Sequence, residues 1–319
     1  MTSQRRYLKA EAKVEVQEKI GGMAFYPGCS LDGLGKAYEK SAKAVIHDLG
    51  IQVENIKNYN CCGATEVKTV NYDLSVFLPA RNLALAKNMG SGVVVAPCNG
   101  CVYSLSRANK AVTEDESTRQ RINGYLGKAG VSSYDGSVEV KHLLEVIYQR
   151  AGPQAVRSHV KKPLSGLKVA CYYGCLYTRP KVYTGAGLQE GKDNPEHPHY
   201  MDDLLEAAGA TVVDFSAKTI CCGGGHAVAD REVSLGFSAA ILNEATRAGA
   251  DVVSTMCPLG HINIETNIPK IIEQYGDAIV RPVMYFTQLL GVAFGHSRKD
   301  VRLADNFSGA DTAMHRLGF

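Results

Sequence analysis

Ten cysteines stand in this chain of 319 residues, and nine of them fall into patterns that bring several thiols close together. The first half reads Cys29, a gap of 31 residues, Cys61-Cys62-Gly63, a gap of 35, then Cys98-Asn99-Gly100-Cys101. The second reads Cys175, 45 residues, Cys221-Cys222-Gly223, 34 residues, then Cys257-Pro258-Leu259-Gly260. Thiolates ligate soft metals and carry redox chemistry. Adjacent cysteines beside glycine, and a Cys-x-x-Cys directly after an apolar run, are loop features rather than core features. Five thiols in one half exceed what a thioredoxin-like pair needs and overshoot the four ligands of a closed zinc site. Iron–sulfur clusters, in contrast, are held by cysteine thiolates that tolerate dispersed positions. Gly28, Gly63 and Gly100 let the backbone pass close to a bulky inorganic core, with amides free to bond its sulfides. Cys171 is the exception, because it lies inside a strand-like run and reads as a small core hydrophobe.

The rest of the composition narrows the class. The chain is 45% hydrophobic and 21% charged, with 35 basic against 32 acidic residues and a net charge of +3. A chain this long buries about three quarters of its unfolded surface, so the thiols are not a small domain's disulfide framework. No apolar run reaches the ~18 residues of a membrane span, and Met1 to Ile20, with Arg5, Arg6, Lys9, Lys13 and Lys19, lacks the apolar core of a signal peptide. The charge balance shows no nucleic-acid footprint. A cytoplasmic protein of two domains is expected.

Those two domains are copies of one unit. Met23-Ala24-Phe25-Tyr26-Pro27-Gly28-Cys29 lines up with Val169-Ala170-Cys171-Tyr172-Tyr173-Gly174-Cys175. The Cys-Cys-Gly triplets follow, then Val93 to Cys98 against Val252 to Cys257, and finally Val138 to Ile147 against Arg281 to Leu290. Within each copy, strand and helix signals alternate: strands at Met23 to Tyr26, Ile51 to Ile56 and Val93 to Ala96, helices at Ala37 to Asp48 and Tyr72 to Met89, the latter kinked or restarted at Pro79. This alternation predicts an α/β unit with a largely parallel sheet. Ligands of such sheets bind outside the carboxyl ends of the strands, where Cys29, Cys98, Cys175 and Cys257 directly follow a strand. The join falls in Lys161 to Gly166, which divides the chain into an extension (1–22), two domains (23–162 and 163–295) and a tail (296–319).

The motifs resemble the cysteine-rich CCG domain, in tandem, of the heterodisulfide reductase family, as found in its B-type subunits. The first half matches the family pattern in every cysteine and both spacings, and Tyr172 to Pro180 is similar to the family's second-half opening. The resemblance covers about Met23 to Gly295. It implies two Rossmann-like domains related by pseudo-twofold symmetry, and a non-cubane 4Fe-4S cluster on each full set of five cysteines. A thiol or disulfide substrate then reacts between the clusters. Carried over, the first cluster's ligands are Cys29, Cys61, Cys62, Cys98 and Cys101. The second site keeps Cys175, Cys221, Cys222 and Cys257, but Gly260 replaces the last cysteine and the 45-residue gap is longer than the family's. A non-cubane cluster with an open iron, a cubane 4Fe-4S cluster and a zinc ion all remain open there, and this site is expected to be the more exposed and labile.

Two functions follow from the resemblance. One is an oxidoreductase subunit acting on thiol or disulfide groups, in a sulfur-oxidising relative that takes a thiol, a disulfide or lipoate-bound sulfur. The other is an electron-transfer or scaffold subunit, like the iron–sulfur subunits of glycolate or lactate oxidases. Both imply partners, since the chain lacks a Walker A loop, a dinucleotide fingerprint and a ferredoxin-type cysteine run. The partners implied are a flavin-carrying subunit and a small C-type 4Fe-4S protein of a heterodisulfide reductase-like complex. His226, in a glycine loop, and His261, after Gly260, are weak candidates for proton handling, and His261 also for ligation; a helix-start histidine is the plainer reading of the latter. Gly185 to Tyr200 is a polar spacer or a lid, with His197 and His199 on its surface. Ser106 to Lys128 reads as a solvated helix–loop–helix, Val283 to Phe294 as an apolar helix in the core, and the basic tail after His296 as flexible or partner-bound.

Overall fold

The computed structural model describes residues 22–64, 66–181 and 192–319. Most of the N-terminal extension and much of the 185–200 insertion lie outside the described residues. The first half opens with β1 (Met23–Phe25), α1 (Gly28–Asp32), α2 (Lys36–Asp48) and β2 (Val53–Asn55). It continues with α3 (Val67–Val70), α4 (Tyr72–Asn88), β3 (Val93–Ala96), α5 (Asn99–Glu114) and α6 (Glu116–Lys128), and closes with β4 (Glu139–His142), α7 (Leu143–Arg150) and α8 (Gly152–His159). The second half repeats the plan with β5 (Lys168–Tyr172), α9 (Cys175–Thr178), α10 (Tyr200–Ala207), β6 (Thr211–Val213), α11 (Arg231–Arg247), β7 (Val252–Thr255), α12 (Pro258–Tyr275), β8 (Val283–Tyr285) and α13 (Phe286–Ala293).

Each half holds a four-stranded sheet, in the orders β2-β1-β3-β4 and β6-β5-β7-β8. Every strand pairing is parallel. The fold is therefore α/β, two Rossmann-like halves of one topology. The central strands β3 and β7 are apolar or small along their length because both faces are covered by helices.

Local chemistry explains the helix limits. Gly50 follows α2 at φ +69°, a conformation glycine adopts without strain. Asn71 caps α4 by accepting from the Leu74 amide at 2.9 Å. Helix α4 runs from Tyr72 to Asn88 with Pro79 inside it, rather than restarting there. Proline has no N–H for the Ser75 carbonyl one turn back, and the Arg107 guanidinium donates to that carbonyl at 2.7 Å instead.

Three segments differ from the sequence reading. Val283 to Phe294 is a strand followed by a helix, and a fully buried apolar run has no periodicity to reveal the change. Ser106 to Lys128 does form two helices about Asp115, but Ala108, Val112, Ile122 and Leu126 are buried, so one face is core rather than solvated. The tail is folded: Val301, Leu303, Ala310 and Met314 are buried, a last helix, α14, spans Ala310–Arg316, and the Gln288 amide donates to the Val301 carbonyl at 3.1 Å.

The halves are interlocked. Helix α13 of the second packs on α2 of the first, and α10 packs on α7 and α8. Across this seam Ser41 and Thr287 hydroxyls hydrogen-bond at 2.7 Å, and the Tyr38 and Tyr285 rings stack at 4.3 Å. One hydrophobic core accordingly runs from Phe25 through Met201 to Phe294.

Candidate functional site

The nine patterned cysteines meet where the two sheets turn their carboxyl ends toward each other. In the first half Cys29 Sγ lies 3.6 Å from Cys61 Sγ, and Cys62 Sγ lies 3.4 Å from Cys101 Sγ. In the second, Cys175 and Cys221 are near enough that each bears on the other's ionisation. The two sets then touch, because Cys98 Sγ stands 3.8 Å from Cys257 Sγ. Cys171 is fully buried in β5 and outside these sets, as its strand position implies.

Each cysteine is placed by an element the repeat supplies. Cys98 and Cys257 follow β3 and β7 and cap α5 and α12, so their sulfurs sit at the positive ends of helix dipoles. The two CCG loops hang from equivalent tyrosines. Tyr26 Oη donates to the Asn60 carbonyl before Cys61, and Tyr172 Oη to the Ile220 carbonyl before Cys221, each at 2.8 Å. Asn82 clamps the first loop, accepting from the Asn60 amide at 3.0 Å and donating to its carbonyl at 2.9 Å. Asn263 donates to the Cys222 carbonyl at 2.7 Å in the second. These four residues escaped the sequence reading, although the tyrosines recur three positions before Cys29 and Cys175 in the aligned repeats.

Backbone amides also face the sulfurs: Ala64 N to Cys62 at 3.4 Å, Gly223 N to Cys221 and Gly224 N to Cys222, each at 3.3 Å. The Cys29 and Cys62 thiols, with the Gly63 amide, push Cys61 down to about 2. Cys175 and Cys222, with the Gly223 amide and the His226 charge, push Cys221 down to about 2.

The donor set suits a polynuclear centre. Soft thiolates predominate, amides point at sulfur, and glycine stands where a side chain would crowd the thiols: a Cβ at Gly28 would lie 3.0 Å from Cys101 Sγ, and one at Gly224 would lie 3.3 Å from Cys222 Sγ. Among the described residues no three cysteine, histidine or carboxylate side chains converge as a single metal ion would need. The first set forms a run instead, Cys29 on Cys61, then the adjacent Cys62 on Cys101.

Exposure does not single out the second set. Cys29 and Cys61 are the exposed thiols, Cys62, Cys98 and Cys101 are buried, and all four of the second set are intermediate. At Gly260, the repeat position of Cys101, a Cβ would lie 3.7 Å from Cys222 Sγ; in the first half Cys101 Sγ itself lies 3.4 Å from Cys62 Sγ. His261 does not turn toward that place. Its Nδ1 pairs with Thr255 Oγ1 at 2.9 Å and its Nε2 with Glu265 at 3.0 Å, leaving no ring nitrogen to replace the thiol. His226 is exposed in a single 3-10 turn, Gly224–His226, at the rim of the second set. His199 is exposed, as expected, and also pairs with Asp203 at 2.8 Å and packs on Tyr148 and Tyr200.

The cysteine-rich CCG domain matches this chain twice, at residues 23–106 and 169–265. The 8-methylmenaquinol:fumarate reductase membrane anchor subunit of Wolinella succinogenes is 35% identical over 89% of this chain and 95% of that one. The B-type subunit of the ferredoxin/F420H2-dependent CoB-CoM heterodisulfide reductase of Methanosarcina acetivorans is 31% identical over 89% of this chain and 93% of that one. An uncharacterised iron–sulfur protein of Methanococcus maripaludis is 25% identical over 84% of this chain and 46% of that one. With both halves matched and these relatives aligned over most of its length, the chain belongs to the cysteine-rich CCG family, with the tandem-domain proteins that include the B-type subunits of heterodisulfide reductases.

Proposed function

We propose that this chain is the iron–sulfur electron-transfer subunit of a multisubunit oxidoreductase, with one redox centre per half and electrons crossing between them at Cys98 and Cys257. Each half, 23–162 and 163–295, is taken as one domain. Cys29, Cys61, Cys62, Cys98 and Cys101 would hold a non-cubane 4Fe-4S cluster, and Cys175, Cys221, Cys222 and Cys257 a second 4Fe-4S cluster. Bound there, such clusters supply one-electron redox capacity.

The 3.8 Å contact of Cys98 and Cys257 carries the reading. It makes the two sets neighbours through sulfur, and Leu259 fills the space between them, within 3.8 Å of a Cβ built on Gly100 and 3.4 Å of one on Gly224. The two most similar relatives above serve reductases of different substrates, fumarate and a heterodisulfide. What such complexes share is the handling of electrons. The substrate chemistry then sits on a partner, a flavin subunit, with a small 4Fe-4S protein as the other electron port. No described helix is long and apolar enough to cross a membrane, so attachment to a membrane complex would run through those partners. The cytoplasm is the compartment that keeps such thiols reduced.

One observation favours a second reading, sulfur chemistry on the chain itself. Gly260 leaves Cys222 without the neighbouring thiol that Cys101 gives Cys62, and on this reading the sulfur of a thiol, a disulfide or lipoate-bound sulfur would take that fifth position, in reduction or in sulfur oxidation. Anaerobic reconstitution followed by an EPR-monitored redox titration tests both. The electron-transfer reading expects about eight irons per chain, no zinc and a spectrum indifferent to added thiols. A new paramagnetic species on oxidation with thiol present would transfer the case to the second reading, and a chain that takes up no iron would sink both.

A further inference from the structure

The two halves do not contribute alike to the junction between their thiol sets. In the aligned repeats Cys29-Ser30 stands against Cys175-Leu176, and Cys98-Asn99-Gly100-Cys101 against Cys257-Pro258-Leu259-Gly260. The second half therefore places leucines where the first has Ser30 and Gly100, and both leucines converge on that glycine of the other half. A Cβ built on Gly100 would meet Leu259 Cδ2 at 3.8 Å, Leu176 Cδ1 at 4.0 Å and Cys98 Sγ at 3.8 Å. Leu259 also leans on its own CCG loop, because a Cβ on Gly224 would meet Cys222 Sγ at 3.3 Å and Leu259 Cγ at 3.4 Å. One side chain thus stands between the glycine next to a thiol of the first set and the glycine next to a thiol of the second.

The backbone holds both leucines in place. Leu259 follows Pro258 in the first turn of α12, where the fixed proline φ suits a helix start. Leu176 lies in the short helix α9, which packs on α5. The Asn99 side-chain amide, at the start of α5, donates to the Tyr173 carbonyl just ahead of α9 at 2.8 Å. Both leucines are half-buried, so they form a boundary with solvent rather than part of the deep core. Cys98 beside them is buried, whereas Cys29 and Cys61 of the same set are exposed. A leucine at both repeat positions would crowd this seam, and a glycine at both would leave it open.

We propose that Leu259, with Leu176 beside it, plugs the space between the two thiol sets and bars soluble thiols from it, so that Leu259 is the residue that holds this junction to electron transfer rather than sulfur chemistry. The inference rests on the electron-transfer reading above and deepens it. A packed apolar side chain keeps water and polar solutes out of the room it fills, and deleting it leaves a cavity that a small ligand can enter.

Leu259→Gly copies the first half's residue and empties the seam, and Leu259→Met keeps the volume. Metal-free full-length chains are treated with iodoacetamide, and alkylation of each cysteine is timed by mass spectrometry. Expected in Leu259→Gly is faster reaction at Cys98 and Cys222, by about tenfold or more, with fully buried Cys171 still protected and Leu259→Met close to wild type. Unchanged rates at Cys98 and Cys222 would overturn the inference. If Cys171 reacts as well, the fold has opened, and Leu259→Ala, a smaller deletion, decides: Cys98 and Cys222 must react faster there with Cys171 protected, or the inference fails. After reconstitution, added mercaptoethanol should change the EPR spectrum of Leu259→Gly and leave that of wild type alone. A Leu259→Gly spectrum as indifferent as wild type would overturn the inference while the electron-transfer reading stands. A wild-type spectrum that already responds to the thiol, or a wild-type chain that takes up no iron, would remove that reading and this inference with it.

Discussion

Cys98 and Cys257, 159 residues apart in the chain, bring their sulfurs to 3.8 Å at the seam between two equivalent halves. Each caps the helix that follows the third strand of its sheet, so the contact is the repeat meeting itself across a pseudo-twofold axis. Around it the halves exchange bonds: Tyr38 Oη donates to the Met256 carbonyl, and Asn99 Nδ2 to the Tyr173 carbonyl. The arrangement at the junction depends on both halves.

Two neighbouring tyrosines should respond to the same substitution with opposite sign. Tyr38 Oη donates at 2.9 Å to a buried carbonyl, and Tyr285 Oη has no partner. In the metal-free chain Tyr38→Phe leaves the Met256 carbonyl unpaired and should cost about 1–2 kcal/mol. Tyr285→Phe should be neutral or stabilising. Urea unfolding of the two variants side by side decides this, and equal losses would show that the stack rather than the hydroxyls sets the stability.

The cysteines should separate into ligands and core. Cys62→Ser removes a thiol 3.4 Å from Cys101 and should lose the first centre's iron with little change in the metal-free fold. Cys171→Ser places a hydroxyl in a fully buried strand and should cost about 1–3 kcal/mol while iron content stays whole. Iron analysis with metal-free unfolding reads both, and full iron in Cys62→Ser would refute the ligand assignment.

Asp193 should withdraw stability as pH rises from about 4 to 6, against His142, whose imidazole, pushed down to about 3 by burial, adds stability over the same window. Burial raises the Asp193 carboxyl to about 6, so the folded chain binds this proton more tightly than the unfolded one and loses that advantage as pH climbs between the two values. His199 is also raised, first by its hydrogen bond to Asp203, and its contribution is whole below the unfolded imidazole value and lost as pH passes the folded one. The two act with the same sign. Asp193 alone accounts for at most about 3 kcal/mol at 1.36 kcal/mol per unit. Asp193→Asn should make the urea midpoint rise more steeply with pH over this window, and an unaltered slope would remove Asp193 as a contributor.

The sequence disclosed most of what is local or repeated. Strands β1, β3 and β5 lie within a residue or two of their apolar runs, and Gly50 stops α2 where its position implies. The nine thiols could be assigned to two sets because the repeat aligns them. Contacts made only by folding were hidden. Nothing near Cys98 announces Cys257, and nothing in Tyr38 announces a stack on Tyr285. The tail was obscured for a related reason: Val301, Leu303, Ala310 and Met314 are scattered among charges and become a core face only when Gln288 and Asn306 fasten the turn between them. Tyr26 and Tyr172 were visible in the alignment, but their role depends on a carbonyl far along the chain.

Gly260 offers the most direct manipulation of the second site. It lies in the first turn of α12, its φ is not positive, and a Cβ built there meets Cys222 Sγ, Cys222 Cβ and Tyr172 at 3.7 Å, ordinary van der Waals separation. Gly260→Cys therefore fits without strain, and replacing a helical glycine should stabilise the metal-free chain by a few tenths of a kcal/mol. The new thiol would face Cys222 as Cys101 faces Cys62 at 3.4 Å, giving the second half a fifth thiol in the first half's pattern. The reconstituted variant should hold its second-half iron longer against a chelator, and its EPR spectrum should converge on that of the first centre. If the second site takes zinc instead, the variant should still bind one zinc and no additional iron. Measured together, iron, zinc and chelator-release rates separate these outcomes, and an unchanged release rate with unchanged spectra would mean that position 260 does not face the centre.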